Sequence, residues 1–274
     1  MHPTSQLTME TVERNLIDQD GADDLDLTRC QFVDPFGLVA IACKAQFVAN
    51  RGQTSYAVPV DRSFAIYQER MRLPQVLDAQ FGIRASHIHG VREHDRRDVL
   101  SELTVFSNWS DAKPMAEMVL NKVNADDESA EAIWLCLCEA CENVGEHSGA
   151  RGFIAAQTYQ LDQPGEYVTL AVGDTGLGIR ATLQRAFPRI LSDQDALSLV
   201  IKGGYTGVIS DPERGTGIHA MMTAVQRLNG DAVLRTGSQS AKITSSGTIF
   251  PSSGRLRGTI IGLRLPCIRG RKSR

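Results

Sequence analysis

The feature that most constrains this chain is a strand that runs into a glycine turn and straight on into a helix. Tyr167 to Val172 is apolar, the next residues are Gly173-Asp174-Thr175-Gly176-Leu177-Gly178, and helical periodicity resumes at Ile179. Two glycines at this spacing permit tight turns and a close approach of backbone to a flat ligand. A buried Asp174 beside them can accept a hydrogen bond from an exocyclic amine. Strands that end where helices begin belong in an α/β layer.

Periodicity fills in the surroundings. Helices are expected at about 114–124, 129–147, 179–187, 194–202 and 217–229, and strands at about 153–160, 166–172, 231–236, 241–249 and 256–265. Thr236 to Gly254, rich in Ser, Gly and Thr, reads as a hairpin with a flexible tip. Upstream, Asp24 to Leu27 alternates as a strand does. Phe36 to Val48 is a helix bracketed by Pro35 and Gly52, Tyr56 to Val60 a strand, and Phe64 to Leu73 a helix. The stretch from His94 to Ala112 is charged and less periodic, and a domain boundary is placed there. The expected organisation is an N-terminal arm over 1–22, either loose or an edge element, an α/β domain over 23–105, a second α/β domain over 112–268 and a basic, frayed tail over 269–274.

With 274 residues, 42% of them hydrophobic, the chain can bury two modest cores. Its formal net charge of −3 supplies no positive field for nucleic acid or an anionic membrane, so neither is an expected partner. The longest apolar run, Pro35 to Ala49, is cut by Lys44 and Gln46, and the N-terminus has no basic segment followed by an apolar one. A cytoplasmic location is therefore expected. Of the six cysteines, Cys136, Cys138 and Cys141 crowd one helix. Residues two apart there point about 200° from each other, so buried reduced thiols are expected rather than a metal site. His87, His89 and His94 read as a solvated loop.

Glu139, Asn143 and His147 follow at spacings of four on the 129–147 helix and fall within about 80° of one another, apart from the stripe Ile133, Leu137, Cys141 and Val144. One side packs, and the other offers a carboxylate, an amide and an imidazole. An amide oxygen can complete the shell of Mg2+ once phosphates supply the rest, and a carboxylate one turn earlier can orient or deprotonate a hydroxyl. Arg214-Gly215-Thr216-Gly217-Ile218 opens the 217–229 helix, whose N-terminal N–H groups suit phosphate. The polar stretch from Lys202 to Glu213 suits a mobile lid. Neither glycine turn ends in the Gly-Lys-Ser/Thr of a Walker A loop.

Together, Glu139-x-x-x-Asn143, Asp174-x-Gly176-x-Gly178, Gly215-x-Gly217 and Gly258-Thr259 before a final strand resemble, in order and rough spacing, the four nucleotide-binding elements of the GHKL superfamily of ATPases. The match covers about residues 112 to 266. It implies a two-layer α/β sandwich of Bergerat type that binds ATP and Mg2+. Glu139 would be the general base, Asn143 the Mg2+ ligand and Asp174 the partner of the adenine amine. Gly176 and Gly178 would lie along the base, Gly215 and Gly217 would approach phosphates, and Thr259 would support the adenine through Asp174 or water.

The transducer domain of a gyrase- or Hsp90-like protein is not expected after the final strand. His94-Asp95-x-Arg97 is a poor match to a histidine-kinase acceptor box, with Val99 where Pro is expected. Asp24 to Ala40, with Asp34-Pro35-Phe36-Gly37 at its centre, resembles the start of STAS domains, including anti-anti-sigma factors, over about residues 22 to 75. In those factors the residue before the glycine is the phosphorylated Ser, and here it is Phe36. The ATPase half most resembles the anti-sigma-factor kinases. The resemblance implies a partner-switching regulator that binds Mg-ATP and phosphorylates a Ser or Thr of a protein partner, itself a STAS-domain or sigma-factor-like regulator. A homodimer is compatible with it. The alternative is a nucleotide-gated protein-binding module with little or no catalysis.

Overall fold

The computed structural model describes residues 5–17, 24–58, 62–86, 100–123, 125–160, 166–190, 192–203 and 216–267. The histidines at 87, 89 and 94, the expected lid beyond Gly203, Gly215 and the basic tail lie outside these. In chain order the elements are β1 (Ser5–Leu7), a π-helical turn (Glu13–Ile17), β2 (Cys30–Val33), α1 (Pro35–Ala49), β3 (Ser55–Tyr56), α2 (Arg62–Arg70), α3 (Leu73–Phe81), β4 (Arg84–Ala85) and β5 (Leu100–Phe106). Then come α4 (Trp109–Lys122), α5 (Asp127–Asn143), a second π-helical turn (Val144–Ser148), β6 (Gly152–Gln160), β7 (Glu166–Asp174), α6 (Ile179–Gln184), α7 (Asp193–Lys202), α8 (Gly217–Arg227), β8 (Asp231–Thr244), β9 (Gly247–Ile249) and β10 (Ser252–Cys267).

The fold is mixed α/β around a six-stranded antiparallel sheet of order β5-β6-β7-β10-β8-β9. Alternation along its strands divides two cores. Ile154, Ala156, Val168, Leu170, Val172, Leu234, Ile261 and Leu263 face α4, α5, α6, α7 and α8. Phe153, Ala155, Ala171, Val233 and Ile260 face the other way, into a core shared with α1 and the N-terminal segments. The expected two-layer sandwich thus carries a third layer, because α1 is apolar on nearly every side and needs a floor as well as a roof.

α1 is fixed at its start by Asp34, whose carboxylate accepts from Gly37 N at 2.8 Å and from Met9 N at 3.1 Å, while Pro35 presets the first turn. Burial raises the Asp34 carboxyl to about 6 despite those hydrogen bonds. Gly37 is required by β1, since a Cβ there would stand 2.2 Å from Leu7 O. On the sheet side the Phe36 ring lies on Gly262 of β10 and Val39 on Gly173 of β7, so two strand glycines let the helix come close.

Within the expected N-terminal arm, β1 pairs in parallel with β2. Asp24–Leu27 is not a strand. It makes a single bridge, Asp26 to Ala57, while Gln53 Oε1 accepts from Leu25 N at 2.9 Å in place of a ladder. Leu25 and Leu27 are nonetheless buried, as their alternation implies. The expected helix over Phe64 to Leu73 is two, broken at Arg72, which adopts φ 58°. β5, inside the 23–105 segment, pairs with β6 and belongs to the six-stranded sheet. All six cysteines are free thiols. Among the described residues no helix is long and apolar enough to cross a membrane.

Candidate functional site

A cleft of about 270 Å3 opens between α5, its π turn, the β7–α6 turn, α8 and β10. Glu139, Asn143, Asp174, Gly178, Gly217 and Thr259, named from sequence, all line it. Gly176 does not line it but packs behind, and Gly215 lies outside the described residues.

Asp174 ends β7, 4% exposed. Its carboxylate accepts from Gly176 N at 2.7 Å and also from the Thr259 backbone N–H, yet burial dominates and raises its pKa to about 6. The turn that follows is locked by contacts that admit no side chain. A Cβ on Gly176 would stand 1.9 Å from Ser148 O, and one on Gly258, φ 87°, would stand 2.0 Å from Asp174 O. Gly178 adopts φ 77°. Leu177 N donates to Ser148 O at 3.0 Å, which ties this turn to the π turn after α5.

Thr236 was not singled out from sequence, where a lone Thr at a strand end carries no signal. It is 1% exposed, and its hydroxyl accepts from Ile179 N at 3.0 Å and donates to Gly258 O at 3.1 Å. It lies 3.4 Å from the Thr259 hydroxyl. Thr236 therefore joins the start of α6 to the Gly258-Thr259 turn.

The cleft floor beside Asp174 is apolar. Val172 and Ile261 face each other across the β7–β10 ladder, and Ile179, Leu183 and Val200 form a wall. At the other end, Asn143 donates from Nδ2 to Glu139 O at 2.7 Å, which leaves its amide oxygen as the atom for a cation. Glu139 leans against the first turn of α8 so closely that a Cβ on Gly217 would stand 2.0 Å from its Oε2. Burial, then Glu142 and Glu146, raise the Glu139 pKa. His147 also lines the cleft, but the α-helical register stops at Asn143 and His147 is carried on the π turn.

Glu139, Glu142, Glu146 and Asp174 line this space, and no Lys or Arg does among the described residues. A bare polyanion would be repelled, so a phosphate chain would need a cation with it. No group of three or more His, Cys, Asp or Glu converges as a metal cage among the described residues. A metal here would be shared with its ligand. Comparison with family models, curated proteins and solved structures finds no match.

Proposed function

We propose that the cleft binds Mg-ATP and that the chain is a partner-switching serine/threonine protein kinase of the anti-sigma-factor type. The observation that carries this is the convergence on one cleft of a buried carboxylate beside an apolar slot and, at its far end, Glu139 and Asn143 facing a helix N-terminus. Adenine would lie on Val172 and Ile261 with its amine on Asp174, and the phosphates would reach the α8 N–H groups. Asn143 and the phosphates would hold Mg2+, which would supply the charge neutralisation that the carboxylate lining lacks. Glu139, its proton affinity raised, takes the proton of a partner hydroxyl as that oxygen bonds the γ-phosphorus, the bond to the bridging oxygen breaks and ADP leaves.

The acceptor would be on another protein, a STAS-domain or sigma-factor-like regulator. The position that corresponds to the STAS acceptor is Phe36, fully buried on Gly262. That burial also favours the second reading, a nucleotide-gated binding module, because the N-terminal unit then serves packing alone. Single-turnover transfer from labelled ATP, measured beside an equilibrium binding curve, decides between them. A kinase should lose turnover by roughly 10²–10⁴-fold in Glu139→Ala with ATP affinity kept. Asn143→Ala should weaken Mg-ATP far more than metal-free ADP. An inactive parent that still binds Mg-ATP selects the gated module, and absence of Mg-ATP binding refutes both.

A further inference from the structure

Behind the Asp174–Gly178 turn, on the side away from the cleft, lies a larger cavity of about 860 Å3 between α1, α6 and the β8–β10 strands. Its charge is the reverse of the cleft's. Lys44, Arg51, Arg180, Arg255 and Arg257 line it, and Asp193 is the only acidic residue among the described lining. That carboxylate already accepts from the Ser238 N–H and hydroxyl, each at 2.9 Å. In a chain of net charge −3 such clustering is a local exception. Arg180 Nε is buried and has no hydrogen-bond partner among the described residues. Phe47 and Leu177, exposed by 43% and 41%, add apolar surface to the same walls, and Arg51 stacks over the Phe47 ring at 4.1 Å.

We propose that this cavity binds a small organic anion, one that carries phosphate or several carboxylates on an apolar body, and that its occupant braces the Asp174 turn from behind. Guanidinium groups bind either anion through paired N–H donors, and the unpartnered Arg180 Nε is such a donor inside the wall. The concave, partly apolar lining suits a compact ligand rather than an extended strand. Arg180 lies two residues beyond Gly178 in the first turn of α6, and Arg257 Nε donates to Gly176 O at 3.4 Å. The Thr175 hydroxyl donates to Gln46 of α1, and Cys43 Sγ to Asp174 O at 3.6 Å. An anion on Arg180 and Arg257 therefore holds the turn that also shapes the cleft, and binding at one site favours binding at the other. The coupling rests on the nucleotide reading above; the anion site does not.

Calorimetric titration of the full chain with metal-free pyrophosphate and with citrate tests the site, in the parent, in Arg180→Gln/Arg257→Gln and in the exposed-site variant Arg255→Gln. The parent should bind at least one probe, and which one binds identifies the phosphate or the carboxylate as the source. Both arginine variants should weaken it, the double variant by about tenfold or more. Saturating probe should then tighten Mg-ATP about fivefold or more. Failure of both probes, binding as tight as the parent's by the folded Arg255→Gln and double variants, or capture of a single-stranded oligonucleotide but of neither probe would overturn the site. Anion binding without any effect on nucleotide would overturn only the coupling.

Discussion

At the scale of residues, the close approaches in the cleft differ by what lies opposite each glycine. Gly176 faces the backbone carbonyl of Ser148, which cannot retreat, whereas Gly217 faces the end of the Glu139 side chain, which can swing. Gly176→Ala is expected to lower stability by about 1–3 kcal/mol. Gly217→Ala should stay within about 1 kcal/mol of the parent yet displace Glu139; melting curves beside turnover measurements separate the two. Asp174 gives a pH signature. Its carboxyl rises from 3.8 unfolded to about 6 folded, so the folded state holds the proton more tightly. The stability it contributes is full below about pH 4 and is lost as pH rises through 6, by about 3 kcal/mol in all. Asp34 shifts the same way, so the informative quantity is the difference between parent and Asp174→Asn. The ligand-free variant should melt above the parent at about pH 8 and level with it at about pH 4, while ATP binding is lost. Asp174 and its glycines were legible in sequence because strand, turn and helix each leave a pattern. Thr236 was not, since its role comes from a partner strand far away in the chain.

At the scale of elements, α1 shows what periodicity conveys and what it omits. Pro35 and Gly52 bracket it in the sequence as they do in the structure, but an all-round apolar helix does not say what lies on its second side. Asp34→Ala should cost about 2 kcal/mol or more, through the lost cap and an unpaired Met9 N–H, measurable by denaturant unfolding. The break before α3 was hidden because a left-handed Arg72, rather than a glycine, makes it. β5 was hidden because its burial is uneven, with Leu103 and Phe106 inside and Glu102, Thr104 and Val105 only partly so. Likewise a π turn leaves no mark in a sequence, so the pattern carried α5 on to His147 where the α-helix stops at Asn143.

At the scale of the molecule, the six-stranded sheet belongs to both halves of the chain. Its second face is the floor of α1, and Glu13 ion-pairs with the fully buried Arg235 of β8 at 2.7 Å. A fragment that starts at residue 100 would expose Phe153, Ala155, Ala171 and Ile260 and leave Arg235 without its anion, which is strongly destabilising. Such a fragment should be insoluble or unfolded, and the intact chain should show one calorimetric transition instead of two. The same arrangement has a consequence in time. β10 is the last of the described strands in sequence yet lies between β7 and β8, and it carries Gly262 and Ile260 under α1. At a synthesis rate of about 5–20 residues per second, roughly 10–40 s pass between the emergence of α1 and that of β10. Through that interval Phe36 lacks the strand on which its ring packs, so α1, made early, is among the last of the described helices to have its floor completed. Expression of the chain should be sensitive to chaperone supply and growth temperature in proportion to that wait.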